Sequence, residues 1–264
     1  YMVAVLGMGV PGAAYATFIA QGLSAILSFI VFLKEISQYK EKANGLFDAG
    51  ELGHMTRIAI PSILQQSTVS IGMMLVQSVV NGFGTQALAG FSAAIRIENL
   101  CLVPLSSFGN ALSSYTAQNI GADKKDRVPQ GYRAANIMVG ITAVVICVVL
   151  ELFHTPIISM FLDASPSPET VATGENYLKF IGFFFCWVGL KMAVDGVLRG
   201  AGDVKMFTIA NIVNLSIRVL LSWFGAPVWG IQMVWYAVPM GWFANFVISY
   251  SEYRTGKWRT KKVA

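Results

Sequence analysis

Seven ionisable side chains stand within otherwise apolar sequence: Arg96, Glu98, Glu175, Lys179, Lys191, Asp195 and Arg218. A charge at the centre of a membrane helix costs roughly 2.5–3.5 kcal/mol on insertion scales, so it meets a partner or a wet cavity. A carboxylate so placed can take up and release a proton or a small cation, and a neighbouring guanidinium or ammonium can hold it in place or bind an anion instead. Glu98 and Asp195 are the deeply placed acids. Arg96 and Glu98 are two residues apart and about 15 Å into their helix at 1.5 Å per residue; they point to nearly opposite sides, so each needs its own neighbour. Lys191 and Asp195 stand i, i+4 and can pair on one helix face. They lie within two turns of a predicted helix end, as expected of a pair snorkelling to the surface. Arg218 is structural or meets an anionic group. The amides and hydroxyls of Gln65, Gln66, Ser67, Thr68, Ser70 and Gln77 read equally as interhelical glue or as a cavity wall. The candidate cavity residues are Gln65, Gln66, Arg96, Glu98, Asp195 and Arg218.

The elements that position these groups follow from composition. Of 264 residues 12% are charged and 55% hydrophobic, and the mean hydropathy is +0.59, whereas a soluble domain is about a quarter charged. Residues 1–33, 58–95, 99–122 and 219–251 contain no Asp, Glu, Lys or Arg. Each run exceeds the roughly 20 apolar residues of one helical crossing. Turn chemistry divides the longer ones at Gly7-Met8-Gly9-Val10-Pro11, Asn81-Gly82-Phe83-Gly84 and Phe224-Gly225-Ala226-Pro227. The expected spans are about 11–33, 57–80, 86–118, 129–152, 169–198, 205–223 and 228–251, all helical. The chain reads as an all-α polytopic membrane protein with about seven transmembrane helices.

The loops test this placement, because cytoplasmic loops collect Lys and Arg. Residues 34–57 hold Lys34, Lys40, Lys42 and Arg57; 119–133 hold Lys124, Lys125, Arg127 and Arg133; 199–205 hold Arg199 and Lys205; the tail adds Arg254, Lys257, Arg259, Lys261 and Lys262. These alternate with the connections at 81–85, 153–168 and 224–227, which have no Lys or Arg. Fifteen of 19 basic residues thus fall on one side. This predicts an external N-terminus, a cytoplasmic C-terminus and a multi-pass protein of the plasma membrane. The net charge of +5 follows from the same bias and calls for no nucleic-acid partner.

Several chemistries are disfavoured. Gly7-Met8-Gly9-Val10-Pro11-Gly12 fits a dinucleotide fingerprint as a string, but that motif needs a preceding strand and an acid about 20 residues on. Gly90-Phe91-Ser92-Ala93-Ala94 lacks the closing glycine of a hydrolase elbow. His54 and His154 fall on opposite sides of the expected membrane, and Cys101, Cys147 and Cys186 lie within spans without CxxC spacing. No catalytic residue, metal site or organic cofactor is expected. A retinal protein is disfavoured by the absence of Lys from the last helix, and a seven-helix receptor by a sequence start at Tyr1 that reads as a fragment, which makes the number seven accidental.

Four stretches carry a family resemblance. Leu198-Arg199-Gly200-Ala201-Gly202-Asp203 resembles an LRGxGD-type cytoplasmic loop between two helices, with Arg199, Gly200, Gly202 and Asp203 as its motif residues. The other three are Gly9 to Thr17 with Gln21, Ile60-Pro61-Ser62, and Tyr115-Thr116-Ala117-Gln118-Asn119-Ile120-Gly121-Ala122. In this order the chain resembles the multidrug and toxic compound extrusion (MATE) family. The resemblance implies a twelve-helix, two-lobe transporter, of which this chain supplies helix six and the six helices of the C-terminal lobe; the N-terminal lobe of the same chain would be missing. The expected organisation is 1–33, the last helix of the N-terminal lobe; 34–56, a cytoplasmic linker; 57–251, the C-terminal lobe; and 252–264, a basic cytoplasmic tail. Family members export cationic amphipathic drugs in exchange for H+ or Na+, so the resemblance implies those partners and a coupling ion. Some members carry an acid in helix seven, where this chain reads Leu64-Gln65-Gln66-Ser67; another family carboxylate lies in helix one. Prolines 61, 104 and 239 are expected to bend their helices, as is common in transporters. A flippase of the same superfamily, moving lipid-linked oligosaccharide or peptidoglycan precursors, is the alternative; Arg96 and Arg218 suit a pyrophosphate group.

Overall fold

A computed structural model describes residues 2, 3, 5–37, 48–162 and 166–259, and among them only helices and turns occur. The main helices are α1 (Gly9–Ile36), α2 (Ala49–Asn81), α3 (Thr85–Gly121), α4 (Val128–Ser159), α5 (Pro168–Gly182), α6 (Phe185–Gly200), α7 (Val204–Leu220), α8 (Ala226–Trp229) and α9 (Gln232–Thr255). By length and apolarity four of the described stretches can cross a membrane: Gly9–Ile36, Thr85–Gly121, Lys125–Ser159 and Val204–Trp229. The bent pair α5 and α6 makes a fifth if counted as one span. Helices α2 and α9, included in the expected seven, are also long. However, α2 carries polar side chains along its first half, and α9 is rich in Trp, Tyr and Asn.

The chain divides into two units at Gly53 and His54. The first contains α1, apolar on all sides, with Gly12 its one buried residue among those described. The α2 helix starts at Ala49, earlier than the expected 57, because Asp48 caps it by accepting a hydrogen bond from the Gly50 amide at 2.7 Å. Lys40, Lys42, Lys261 and Lys262 lie outside the described residues.

Three expected boundaries are corrected. The predicted single span 169–198 is two helices meeting at a 56° bend, because Gly182 ends α5 and Phe184 leaves helical geometry at φ −98°, ψ 0°. The predicted break at 224–227 is absent. There α7 continues through a π-helical turn, Leu221–Gly225, into α8, and Pro227 is tolerated in the first turn of a helix. The chain reverses at Gly230, where φ is +79°. Helix α4 runs on past the expected 152 to Ser159 with a kink at Phe153, three residues before Pro156. By contrast, α3 continues through Pro104 and α9 through Pro239, and the Pro61 side chain lies outside the described residues.

The second unit is built around α3 and α6. A Cβ on Gly196 would strike the Gly109 carbonyl, and one on Gly109 would meet the Met192 carbonyl at 2.7 Å. Small residues that let helix backbones touch are the usual packing device between apolar helices, where water exclusion supplies little drive. Helices α4, α5 and α9 pack on this pair, and α7 packs on α9. Phe91, Tyr177, Trp235, Phe185 and Trp242 fill the central core, and Leu112, Tyr132, Val194 and Trp258 form a second core. One face of α4 remains apolar and exposed, including Ile137, Ile141 and Val144, as suits a surface against lipid.

Candidate functional site

Helices α2, α3, α6, α7 and α9 enclose a cavity of about 190 Å³. Its polar walls are Glu98 and Asn99 of α3, Lys191 of α6, and Asn211, Asn214 and Arg218 of α7; Val69, Met73, Leu102, Leu215 and Trp242 supply apolar wall. The helical repeat explains the selection. Asn211, Asn214 and Arg218 recur at i, i+3 and i+7 on α7, and Ile95, Glu98, Asn99 and Leu102 recur at i, i+3, i+4 and i+7 on α3, so each set forms one face.

Glu98 is 4% exposed. Tyr177 of α5 donates its phenolic hydrogen to Glu98 Oε2 at 2.5 Å, and the Arg218 guanidinium attracts the same carboxylate. The Arg218 Nε and the Asn214 side-chain oxygen are buried without a hydrogen-bond partner among the described residues, the latter against Gly241 of α9.

A second polar group lies beside it. Lys191 Nζ is 3.0 Å from Asp195 Oδ2 and donates to Asn211 Oδ1 at 3.0 Å. Ser249 of α9 donates to Asp195 Oδ1 at 2.6 Å. Asn211 is oriented in turn by its own donation to the Phe207 carbonyl at 2.8 Å. The Lys191 and Asp195 side chains are only 13% and 6% exposed, which corrects the expected snorkelling pair. The ammonium turns inward because Asn211 gives it an acceptor there and Asp195 an ion-pair partner.

Of the candidates, Glu98 and Arg218 therefore line the cavity, and Asp195 stands behind Lys191. Arg96 does not line it: its side chain is exposed on another face of α3, a consequence of the roughly 200° that two helical residues subtend. The Gln65 and Gln66 side chains lie outside the described residues. Glu175 accepts a hydrogen bond from Thr155 of α4 at 2.5 Å, away from the cavity. Asn211, Asn214, Tyr177 and Ser249 escaped the sequence reading, which pairs Lys191 with Asp195 without placing it on a cavity wall. The i, i+4 spacing had marked Lys191, but an uncharged Asn or Tyr in a span gives no comparable signal.

The loop motif is a compact helix turn. Gly202 has φ +77°, a geometry open to glycine, and the Asp203 amide closes back on the Leu198 carbonyl at 2.8 Å, completing a Schellman-type cap. Asp203 is fully buried. Arg199 reaches back to α3, donating to Asn110 Oδ1 at 2.6 Å and Ser113 Oγ at 3.4 Å. Gly200 sits against the Ser113 carbonyl.

Comparison with known proteins agrees with this architecture. The family model MatE matches residues 61–224. The probable multidrug resistance protein YpnP of Bacillus subtilis is 28% identical over an alignment covering 99% of this chain and 58% of that protein. The probable multidrug resistance protein NorM of Thermotoga maritima is 24% identical over 79% of this chain and 44% of its own length. Among solved structures, a MOP superfamily transporter from Pyrococcus furiosus superposes with a TM-score of 0.83 at 22% identity, covering 99% of this chain and 59% of that one. An outward-facing multidrug resistance MATE family transporter gives a TM-score of 0.83 at 21% identity, over 98% and 59%. The chain spans about half the length of the curated relatives it matches.

Proposed function

The chain belongs to the MatE family of membrane transporters, and on that premise we propose that it is the C-terminal part of an ion-coupled antiporter. It exports cationic amphipathic drugs and toxins across the plasma membrane by alternating access, in exchange for H+ or Na+. Family members are transporters and not enzymes. Residues 1–33 are then the last helix of the N-terminal lobe, 34–56 the linker, 57–251 the C-terminal lobe and 252–264 the cytoplasmic tail.

The observation that carries this reading is Glu98, a carboxylate buried within the lobe yet on the wall of a cavity, hydrogen-bonded by Tyr177 and facing Arg218. An exchanger needs such a group, because cargo affinity must change with ion occupancy. Two relatives carry multidrug resistance names, which supports drug export over movement of lipid-linked precursors.

Everted vesicles from cells expressing the full-length protein test the proposal. Uptake of a fluorescent cationic dye should collapse when the proton or sodium gradient is dissipated. Dye transport indifferent to both gradients, or translocation of lipid in its place, overturns it.

A further inference from the structure

The second polar group offers a cation a ready place. Asp195 Oδ2 and Asn211 Oδ1 both lie 3.0 Å from a single point, one a carboxylate and the other a neutral carbonyl, and hard cations take oxygen ligands of these two kinds. Both oxygens are fixed from behind. Ser249 holds the other oxygen of Asp195 at 2.6 Å, and the Phe207 carbonyl takes the Asn211 amide hydrogen at 2.8 Å, so the Asn211 oxygen is the end that faces inward. The point itself is filled by Lys191 Nζ, on the same helix as Asp195 and on the cavity wall.

We infer that Lys191 is the resident cation of this cavity: its ammonium takes the place between Asp195 and Asn211 that a sodium ion would otherwise occupy, and closes this carboxylate to sodium. The tether matters as much as the charge. A bound ion exchanges with solution at a rate and occupancy set by its concentration, whereas an ammonium on a helix neutralises Asp195 at every sodium concentration. The inference draws its bearing on transport from the ion-coupled reading above. In that setting Lys191 determines ion specificity at Asp195, and Glu98, held by Tyr177 and faced by Arg218, is the acid that lines the cavity itself.

The test is sodium binding by the purified full-length protein, read as the shift in Tm on titrating NaCl against KCl at constant ionic strength. The K191A variant should gain a saturable upward shift in Tm beyond that of the wild type, because binding to the folded state raises apparent stability. K191A/D195N should lose that gain. If K191A cannot be recovered, K191S also removes the ammonium and is read in the same way. A sodium shift in K191A or K191S no larger than in the wild type overturns the inference, and so does a gain that survives the D195N change. Because the readout is binding, it separates from dye export: a variant that gains sodium binding in a protein that moves no dye sinks the exchanger reading alone, and the converse sinks this one alone.

Discussion

Tyr177 of α5 and Glu98 of α3 are joined by a hydrogen bond of 2.5 Å, 79 residues apart in sequence and both buried. The bond fixes one carboxylate oxygen on the core side, where Phe91 and Trp235 pack edge-on against the Tyr177 ring. Tyr177→Phe keeps the ring and removes the donor. It should lower stability by about 1–3 kcal/mol, the usual cost of stranding a buried acceptor, measured by thermal unfolding in detergent. In an E98Q background the same change should cost less than in the wild type, and equal costs in the two backgrounds would show that the bond carries no coupling.

Glu98→Gln preserves size and polarity while fixing the charge at zero. Protein level and folding should stay near wild type, with gradient-driven dye export lost. Full drug resistance with unchanged ion dependence would remove Glu98 from any coupling role.

The Lys191–Asp195 pair should behave as a unit. Asp195→Asn leaves an ammonium buried with a weakened partner, for which the expected cost is about 3–5 kcal/mol. Replacing both, as in K191M/D195N, should recover most of that loss. The check is a double-mutant cycle by thermal or denaturant unfolding; additive losses would show that the two side chains do not depend on each other.

Two helical glycines should respond in opposite directions. Gly196→Ala places a methyl group against the Gly109 backbone, which cannot give way, and should sharply reduce folded protein. On α4, a Cβ at Gly140 would meet nothing within 4 Å, so Gly140→Ala should raise stability by about 0.5–1 kcal/mol through helix propensity. Expression level and Tm of the two variants report both outcomes.

The sequence displays some of this arrangement and conceals the rest for identifiable reasons. Glu98 and Arg218 stand out because a charge within an apolar run is costly wherever its helix sits. The helical class follows from charge-free runs too long to be strands. The seven-span reading missed the bend at Gly182 because the residues around it, Phe180 to Phe185, are as apolar as any helix interior. It also missed the inward turn of Lys191, which depends on Asn211 from another helix, and sequence spacing along α6 carries no information about what α7 brings. Arg96 lies off this cavity for the opposite reason: its cost in a span is real, but the face it occupies is fixed by which side of α3 holds Glu98.

Where Gly109 meets Gly196, and Ser113 meets Gly200, the main chains of α3 and α6 touch with no side chain between them. Side chains can change rotamer and absorb a displacement, but two peptide backbones in contact have nothing to yield. The seam therefore resists displacement of α3 against α6 more than an interface of flexible side chains would. It joins the two helices that carry Glu98 and Lys191, so the backbone positions from which those side chains reach the cavity are set by direct main-chain contact.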